Sequence, residues 1–533
     1  MRRRLDTTVS FLRSPAVLAV ILASVVAFGA CSDADTPIVV TAAGLAIEGK
    51  PSPTPGVAEF LGIPYARPPV GQRRWAPPEA PWTDRSSVSA RRFAPACIQG
   101  TRIVDWYRDL INDFGGKPDI FPVPEFSEDC LYLNVWAPMV GEQSDRPVMV
   151  WIHGGSLKGG WSYEPNYVGH KLAARGVVVV SIAYRLDVFG FFSHPELENS
   201  NFGLLDQLAA LDWVRENIAA FGGDPRNVTV FGESAGAASI GYILASSADK
   251  LPFQRAIIQS GAYQLLRSDY RSDFLDKGLR LQELAVGKDS AALAAMRTVS
   301  AETILDAADA VFGDYWPGAV VDGSILPSPP GDALVDRSMK AVDIIIGTNA
   351  HEFRMYIDPE STASDVEAWL DTHARGVKSE VLELVTDQLA PVDMLDRLET
   401  ARSYSCPSLK LASAIRASGR NAYVYRFSRE RGGEYGARIG AYHGAEIPYV
   451  FGTHDKWLPT GTVDDRLGEE IATRWTSFAR NGEPSVSNGP SWPVFEIDNM
   501  LTLDLGAGIR VLGHPDRRLC MLLGQANGDK VDE

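Results

Sequence analysis

Between Pro147 and Ser428, short and almost unbroken apolar runs alternate with longer segments whose apolar positions recur every three or four residues. The runs "PVMVWIHGG", "GVVVVSIAYR", "NVTVFG", "RAIIQSG", "VDIIIGT" and "AYVYRFS" each read as a strand. They lack the apolar–polar alternation of a half-exposed strand, as expected for a sheet covered on both faces. "GLLDQLAALDWVRENIAAFGG" and "AGAASIGYILASS" carry helical spacing, and Gly222-Gly223 is a plausible helix stop. Strands alternating with helices predict an α/β fold with a central, mostly parallel sheet flanked by helices.

Two stretches break the alternation. Arg267 to about Ala310 and Ser361 to about Ser418 are charged, helix-rich and without strong strands. They are expected to be helical cap insertions over the C-terminal edge of the sheet. "IATRWTSFARNGEPS" predicts a further amphipathic helix near the end of the chain.

Length adds that 533 residues can hold one large α/β catalytic domain with insertions. A formal charge of −16 argues against a nucleic-acid partner, because phosphate recognition needs a basic face. At the N-terminus, Arg2, Arg3, Arg4 and Arg13 precede the apolar stretch Ala16 to Ala30, which is too short for a comfortable membrane span. Residues 1–30 read as a secretory signal, so the protein is expected to be exported: periplasmic, secreted or held at the bacterial cell envelope. Cys31, directly after Gly29-Ala30, resembles the lipidated cysteine of a bacterial lipoprotein, and ordinary cleavage near Ala30 is the alternative. Membrane anchoring through a lipidated Cys31 stays open. Four cysteines remain in the mature chain, Cys97, Cys130, Cys406 and Cys520, an even number that favours two disulfides in an exported protein.

Candidate chemistry sits where a strand meets a helix. Gly232-Glu233-Ser234-Ala235-Gly236 is a G-x-S-x-G pentapeptide between "NVTVF" and an Ala-rich helix. In such a turn a serine projects above the sheet as a nucleophile, and flanking glycines avoid clashes. A serine hydroxyl needs a base, and the base needs an orienting acid. In the chain order Ser, acid, His, the base falls on His443 in "AYHGAEIPYVFG" and the acid on Glu352 in "VDIIIGTNAHEF". Glu446 competes as the acid and is read as structural. His153 is read as structural too. His170, His194, His373, His454 and His514 lack a supporting motif, and His351 precedes the acid. "WIHGGS" offers backbone N–H groups for an oxyanion, with Gly155, Ser156 and Ala235 as donors.

These motifs together resemble the type-B carboxylesterase family, which includes the cholinesterases. "FGGDPRNVTVFGESAG" is similar to its serine signature and "EDCLYLNVWAP" to its second signature. "FLGIPYARPPVGQRRWAPPEAP", "AYRLDVFGFF", "NFGLLDQLAALDWV", "VVDGSILP" and "HGAEIPYVFG" add to the resemblance, which spans residues 36–522 and leaves 523–533 as a tail. It implies an α/β-hydrolase fold and cofactor-free, metal-free hydrolysis of small carboxylic esters through an acyl-enzyme. It carries the catalytic roles onto Ser234, Glu352 and His443. It further implies Cys97–Cys130 and Cys406–Cys520 disulfides and a buried Arg74–Glu128 ion pair. By position, Leu157, Trp316, Met355 and Tyr356 are expected to line the substrate pocket and to favour an apolar group. The chain departs from the family at Ser156, where a third glycine is frequent, and at Phe353, where Glu-Gly is frequent. The long cysteine-bounded loop does not let Trp106 be equated with a choline-binding tryptophan. Two alternatives are a lipase acting on longer acyl chains and a non-catalytic binding or adhesion protein of the same fold.

Overall fold

The computed structural model describes residues 37–526, apart from 42–43, 82–85, 140–144, 289–291, 314–317, 387–389 and 454–457. The leader, Cys31, Trp316, His454 and the tail from 527 onward lie outside the described residues. Eleven strands form the main sheet. In chain order they are β1 (Lys50–Pro51), β2 (Val57–Pro64), β3 (Tyr132–Pro138), β4 (Arg146–Ile152), β5 (Val178–Ile182), β6 (Gly223–Glu233), β7 (Arg255–Gln259), β8 (Asp343–Asn349), β9 (Ala422–Phe427), β10 (Leu501–Leu505) and β11 (Arg510–Gly513). The spatial order is β11-β10-β9-β8-β7-β6-β4-β5-β3-β2-β1. From β5 through β4 and β6 to β10 all neighbours are parallel. Antiparallel strands close both ends: β1, β2 and β3 at one, β11 at the other.

The six expected strands are all present. Their unbroken apolar character has the anticipated cause. Val148, Val150 and Ile152 of β4 face one core layer, while Met149 and Trp151 face the other. Successive side chains of a strand point to opposite faces, so a strand buried on both needs apolar residues throughout. One layer is completed by α2 (Phe202–Asn217) and α3 (Ala235–Ala245) through Leu204, Leu211, Ile240 and Ile243. The other is completed by α5 (Thr462–Asn481) through Ile471, Trp475 and Phe478. The antiparallel strands β2 and β3 are built from the two stretches read above only as signatures.

The insertions are helical, as expected, but the second ends earlier. Its last helix, α4 (Cys406–Ala417), lays Leu409, Leu411, Ala412 and Ile415 directly on the main core layer. It therefore belongs to the layer flanking the sheet. The first insertion packs Phe274, Leu281 and Ile304 around Val188, Phe189 and Phe192.

The structure forms both disulfides, Cys97–Cys130 and Cys406–Cys520. The first closes a loop containing α1 (Arg102–Asp113). The second ties the start of α4 to the helix Arg517–Ala526. Arg74 and Glu128 form a two-pronged ion pair, Nε–Oε1 2.7 Å and Nη2–Oε2 2.6 Å. A second such pair, Arg185–Asp206, is fully buried.

Candidate active site

Ser234 occupies the one-residue joint between β6 and α3, at φ 53° and ψ −123°. That backbone region is costly for a non-glycine residue, by about 1–3 kcal/mol. The joint is held because Ser234 N–H donates to Gln259 O of β7 at 2.9 Å. The glycines serve close approach. A Cβ on Gly236 would stand 2.0 Å from Ile152 O, and one on Gly232 would stand 2.7 Å from the same atom.

His443 and Glu352 reach this joint from the ends of two neighbouring strands. Glu352 follows β8. Its Oε1 accepts the Asn349 N–H at 2.7 Å, and its Oε2 lies 2.6 Å from His443 Nδ1. The acid loop hangs on the second insertion. Glu352 N–H donates to Thr400 Oγ1 at 3.1 Å, Thr400 Oγ1 donates to Asp396 Oδ1 at 3.2 Å, and His351 Nδ1 is 2.7 Å from Asp396 Oδ2. Asp396 and Thr400 carry no local motif, so the sequence offered no signal for them.

Glu446 is placed apart from the His443 ring nitrogens. Its carboxylate accepts from Gln259 Nε2 at 2.9 Å and from Asn349 Nδ2 at 2.6 Å, and Asn349 Nδ2 also bonds Tyr442 O. It thereby pins the histidine loop to β7 and β8, consistent with its structural reading. His153 is buried with Nδ1 2.9 Å from Gly154 O, and burial pushes its imidazole down to about 4. His170, His194 and His514 bond Thr54, Gln282 and the Asp516 N–H respectively, and His373 packs on Trp369.

The N–H groups of Gly155, Ser156 and Ala235 have no protein acceptor among the described residues. Gly155 sits at φ +99°, where a Cβ would strike Gly159 O at 2.1 Å. Ser156 and Leu157 hold positive φ without being glycine.

Ser234, Ser156 and His443 open onto a cavity with two arms. The narrow arm, about 110 Å³, is walled by Ile103, Trp106, Tyr107 and Leu110 of α1, and by Tyr442, Gly444 and Ile447 of the histidine loop. It also holds two buried carboxyls. Burial pushes Glu164 up to about 7 and Glu233 up to about 8. Glu233 Oε1 stands 3.3 Å from His443 Nε2. Burial lowers the basicity of His443, but Glu233 and Glu352 outweigh it and raise the imidazole to about 9.

The wide arm, about 640 Å³, contains Leu157 and Tyr356 of the four expected pocket residues. Met355 lines neither arm. It is half-buried against the apolar layer that contains Tyr107 and Tyr442. Trp316 lies outside the described residues. The arm is not the apolar pocket that these positions implied: Tyr242, Tyr263 and Tyr404 line it, and Arg102, Lys158 and Arg267 surround it. Among the described residues, no group of three His, Cys, Asp or Glu side chains is arranged to hold a metal ion.

A mostly parallel sheet with a serine in a strained strand–helix joint defines an α/β-hydrolase. The chain belongs to the carboxylesterase family, whose model matches residues 35–517. It is 35% identical over 495 residues to para-nitrobenzyl esterase of Bacillus subtilis, covering 89% of this chain and 96% of that protein. It is 34% identical over 514 residues to the liver carboxylesterase of Sus scrofa, covering 87% and 88%. A solved structure of a PNB esterase superposes with a TM-score of 0.78 at 32% identity, over 91% of this chain and 99% of that one. The protein is therefore a carboxylic ester hydrolase.

Proposed function

We propose that ester cleavage runs through an acyl-enzyme on Ser234, with His443 as base and Glu352 as its orienting acid. The observation that carries this reading is the 2.6 Å contact between Glu352 and His443 Nδ1, with His443 and Ser234 lining one cavity and Glu233 beside Nε2. Ser234 Oγ bonds to the ester carbonyl carbon as its proton passes to His443 Nε2. The carbonyl oxygen becomes an oxyanion, which the N–H groups of Gly155, Ser156 and Ala235 stabilise. As the C–O bond breaks, His443 returns the proton to the departing alkoxide. Water then attacks the acyl-enzyme, giving a proton to His443, and the acid leaves as that proton returns to Ser234. The narrow arm borders the histidine loop, so it receives the alcohol portion; the wide arm receives the acyl portion.

The joint presence of Ser234, Glu352 and His443 supports an enzyme over an adhesion protein. Ser234→Ala should abolish turnover of a short-chain chromogenic ester while leaving the folded state intact by circular dichroism. Near-wild-type turnover in that variant contradicts the assignment. Residues 1–30 are proposed as an export leader, with Cys31 either lipidated or free. The two disulfides support export. Mass spectrometry of the protein purified from its host tests both points: an unprocessed leader refutes export, and an acyl adduct on Cys31 decides for the lipoprotein form.

A further inference from the structure

The two arms differ in electrical character. The narrow arm carries Glu164 and Glu233. The wide arm is lined by no carboxylate among the described residues, but by Lys158, Arg267 and phenols, and by Arg102, which sits where the arms meet and lines both. Burial pushes Tyr242, Tyr263 and Tyr404 well above the usual tyrosine range, so they stay protonated and can donate. Tyr263 and Ser234 line the same arm, which puts this donor surface beside the reacting bond.

The three cations are not equivalent. Lys158 is 3.2 Å from the exposed Asp309, and Arg267 is 2.6 Å from Asp269. Both acids lie outside the lining of the arm. Arg102 has no carboxylate ion pair among the described residues; its Nη2 donates to Gly155 O at 3.2 Å, at the lip of the oxyanion loop. Asp187, buried behind that loop, has its carboxyl pushed up to about 6 by burial, with Lys158 and Arg102 drawing it back. Arg102 is also the first residue of α1, whose N-terminal end adds positive potential. In a chain of net charge −16, this is a local cationic field, offset by Glu164 and Glu233 in the narrow arm and by no lining carboxylate among the described residues in the wide arm.

We infer that the wide arm selects esters whose acyl part ends in a second, ionised carboxylate, such as half-esters of short dicarboxylic acids, and that Arg102 is the main contact for that carboxylate. A guanidinium meets a carboxylate with two parallel hydrogen bonds, which Lys158, Arg267 and the phenols can supplement. The inference rests on the esterase reading above and on the assignment of the wide arm to the acyl portion.

The test compares isosteric pairs on the whole protein. Monoethyl succinate and ethyl succinamate differ by a carboxylate against a neutral amide on the acyl side. Acetoxyacetate and acetoxyacetamide make the same comparison on the alcohol side. Wild type should favour the succinate half-ester over its amide by about tenfold or more in kcat/KM, the weight of one charge-assisted contact. The alcohol-side pair should show no such preference. Arg102→Gln should bring the succinate ratio close to one, and Lys158→Met or Arg267→Gln should lower it in part. Raising salt from about 0.05 to about 0.5 M should shrink the ratio in wild type but not in Arg102→Gln. A wild-type ratio at or below one, a ratio unchanged in all three variants, or a preference on the alcohol side overturns the inference while leaving the esterase reading standing. Failure to cleave any of the four esters, with short chromogenic esters also inert, overturns both.

Discussion

Glu233 Oε1 stands 3.3 Å from His443 Nε2, on the opposite edge of the ring from Glu352. The imidazole is thus flanked by carboxyls at both nitrogens, and Glu233 shares the edge that takes the serine proton in the proposed mechanism.

This arrangement sets a pH dependence. Against the lowering effect of burial, Glu233 and Glu352 favour the imidazolium and hold His443 up, to about 9, while burial, with Glu446 and Glu352 nearby, holds Glu233 itself up, to about 8, against the pull of His443. Only neutral imidazole can take the proton from Ser234, so activity falls as pH drops through the titration of the pair. Glu233→Gln removes the raising charge, lowers the basicity of His443 and should move the acid limb of the kcat/KM profile to lower pH. A limb that stays in place in that variant contradicts the coupling.

The two glutamates near the histidine loop should separate cleanly. Glu352→Gln loses the charge that orients His443 and should cut kcat by about four orders of magnitude. Glu446→Gln leaves the ring untouched but turns one of two acceptor oxygens into an amide N–H₂ set against a donor, either Gln259 or Asn349. It should cost about 1–3 kcal/mol of stability and leave kcat within about tenfold. Thermal melts and steady-state kinetics on both variants decide it; equal kinetic damage would sink the distinction.

Ser156 keeps the N–H proposed to hold the oxyanion but adds a hydroxymethyl group at φ 62° on the cavity lip. Ser156→Gly should widen that lip and raise the tert-butyl to ethyl ester rate ratio by about tenfold, a modest steric effect in pocket terms. If wild type already cleaves the tert-butyl ester well, or the ratio does not move, the side chain points away from the substrate.

Cys406 and Cys520 are 114 positions apart and join α4, on the sheet, to the helix Arg517–Ala526. Replacing both by serine should remove about 2–5 kcal/mol and show as a lower melting temperature with the acyl-enzyme chemistry retained. Four alkylatable thiols in the unreduced protein would show that the bridges do not form.

Much of the site was legible because its signals are local or ordered. The joint at Ser234 is announced by glycines that only close packing against Ile152 requires. His443 and Glu352 follow from their order after the serine. What the sequence hid depends on remote segments meeting. Arg102 and Lys158 are far apart in the chain and share an arm only because the Cys97–Cys130 loop bonds through Arg102 and Gln99 to the Gly155–Gly160 loop after β4. Thr400 and Asp396 hold the acid loop from within an insertion that reads only as helix. Met355 was misplaced because a turn has no periodicity from which to decide which neighbour faces inward.

The loop bounded by Cys97 and Cys130 delivers one entire wall of the narrow arm through α1, yet contains none of Ser234, Glu352 or His443. Its two ends are covalently joined 33 positions apart, and its interior is anchored to the sheet through Tyr107, Ile111 and Phe121, which share a core layer with Trp151. Substitutions inside this one stretch therefore reshape the narrow arm without touching the proposed nucleophile, base or acid.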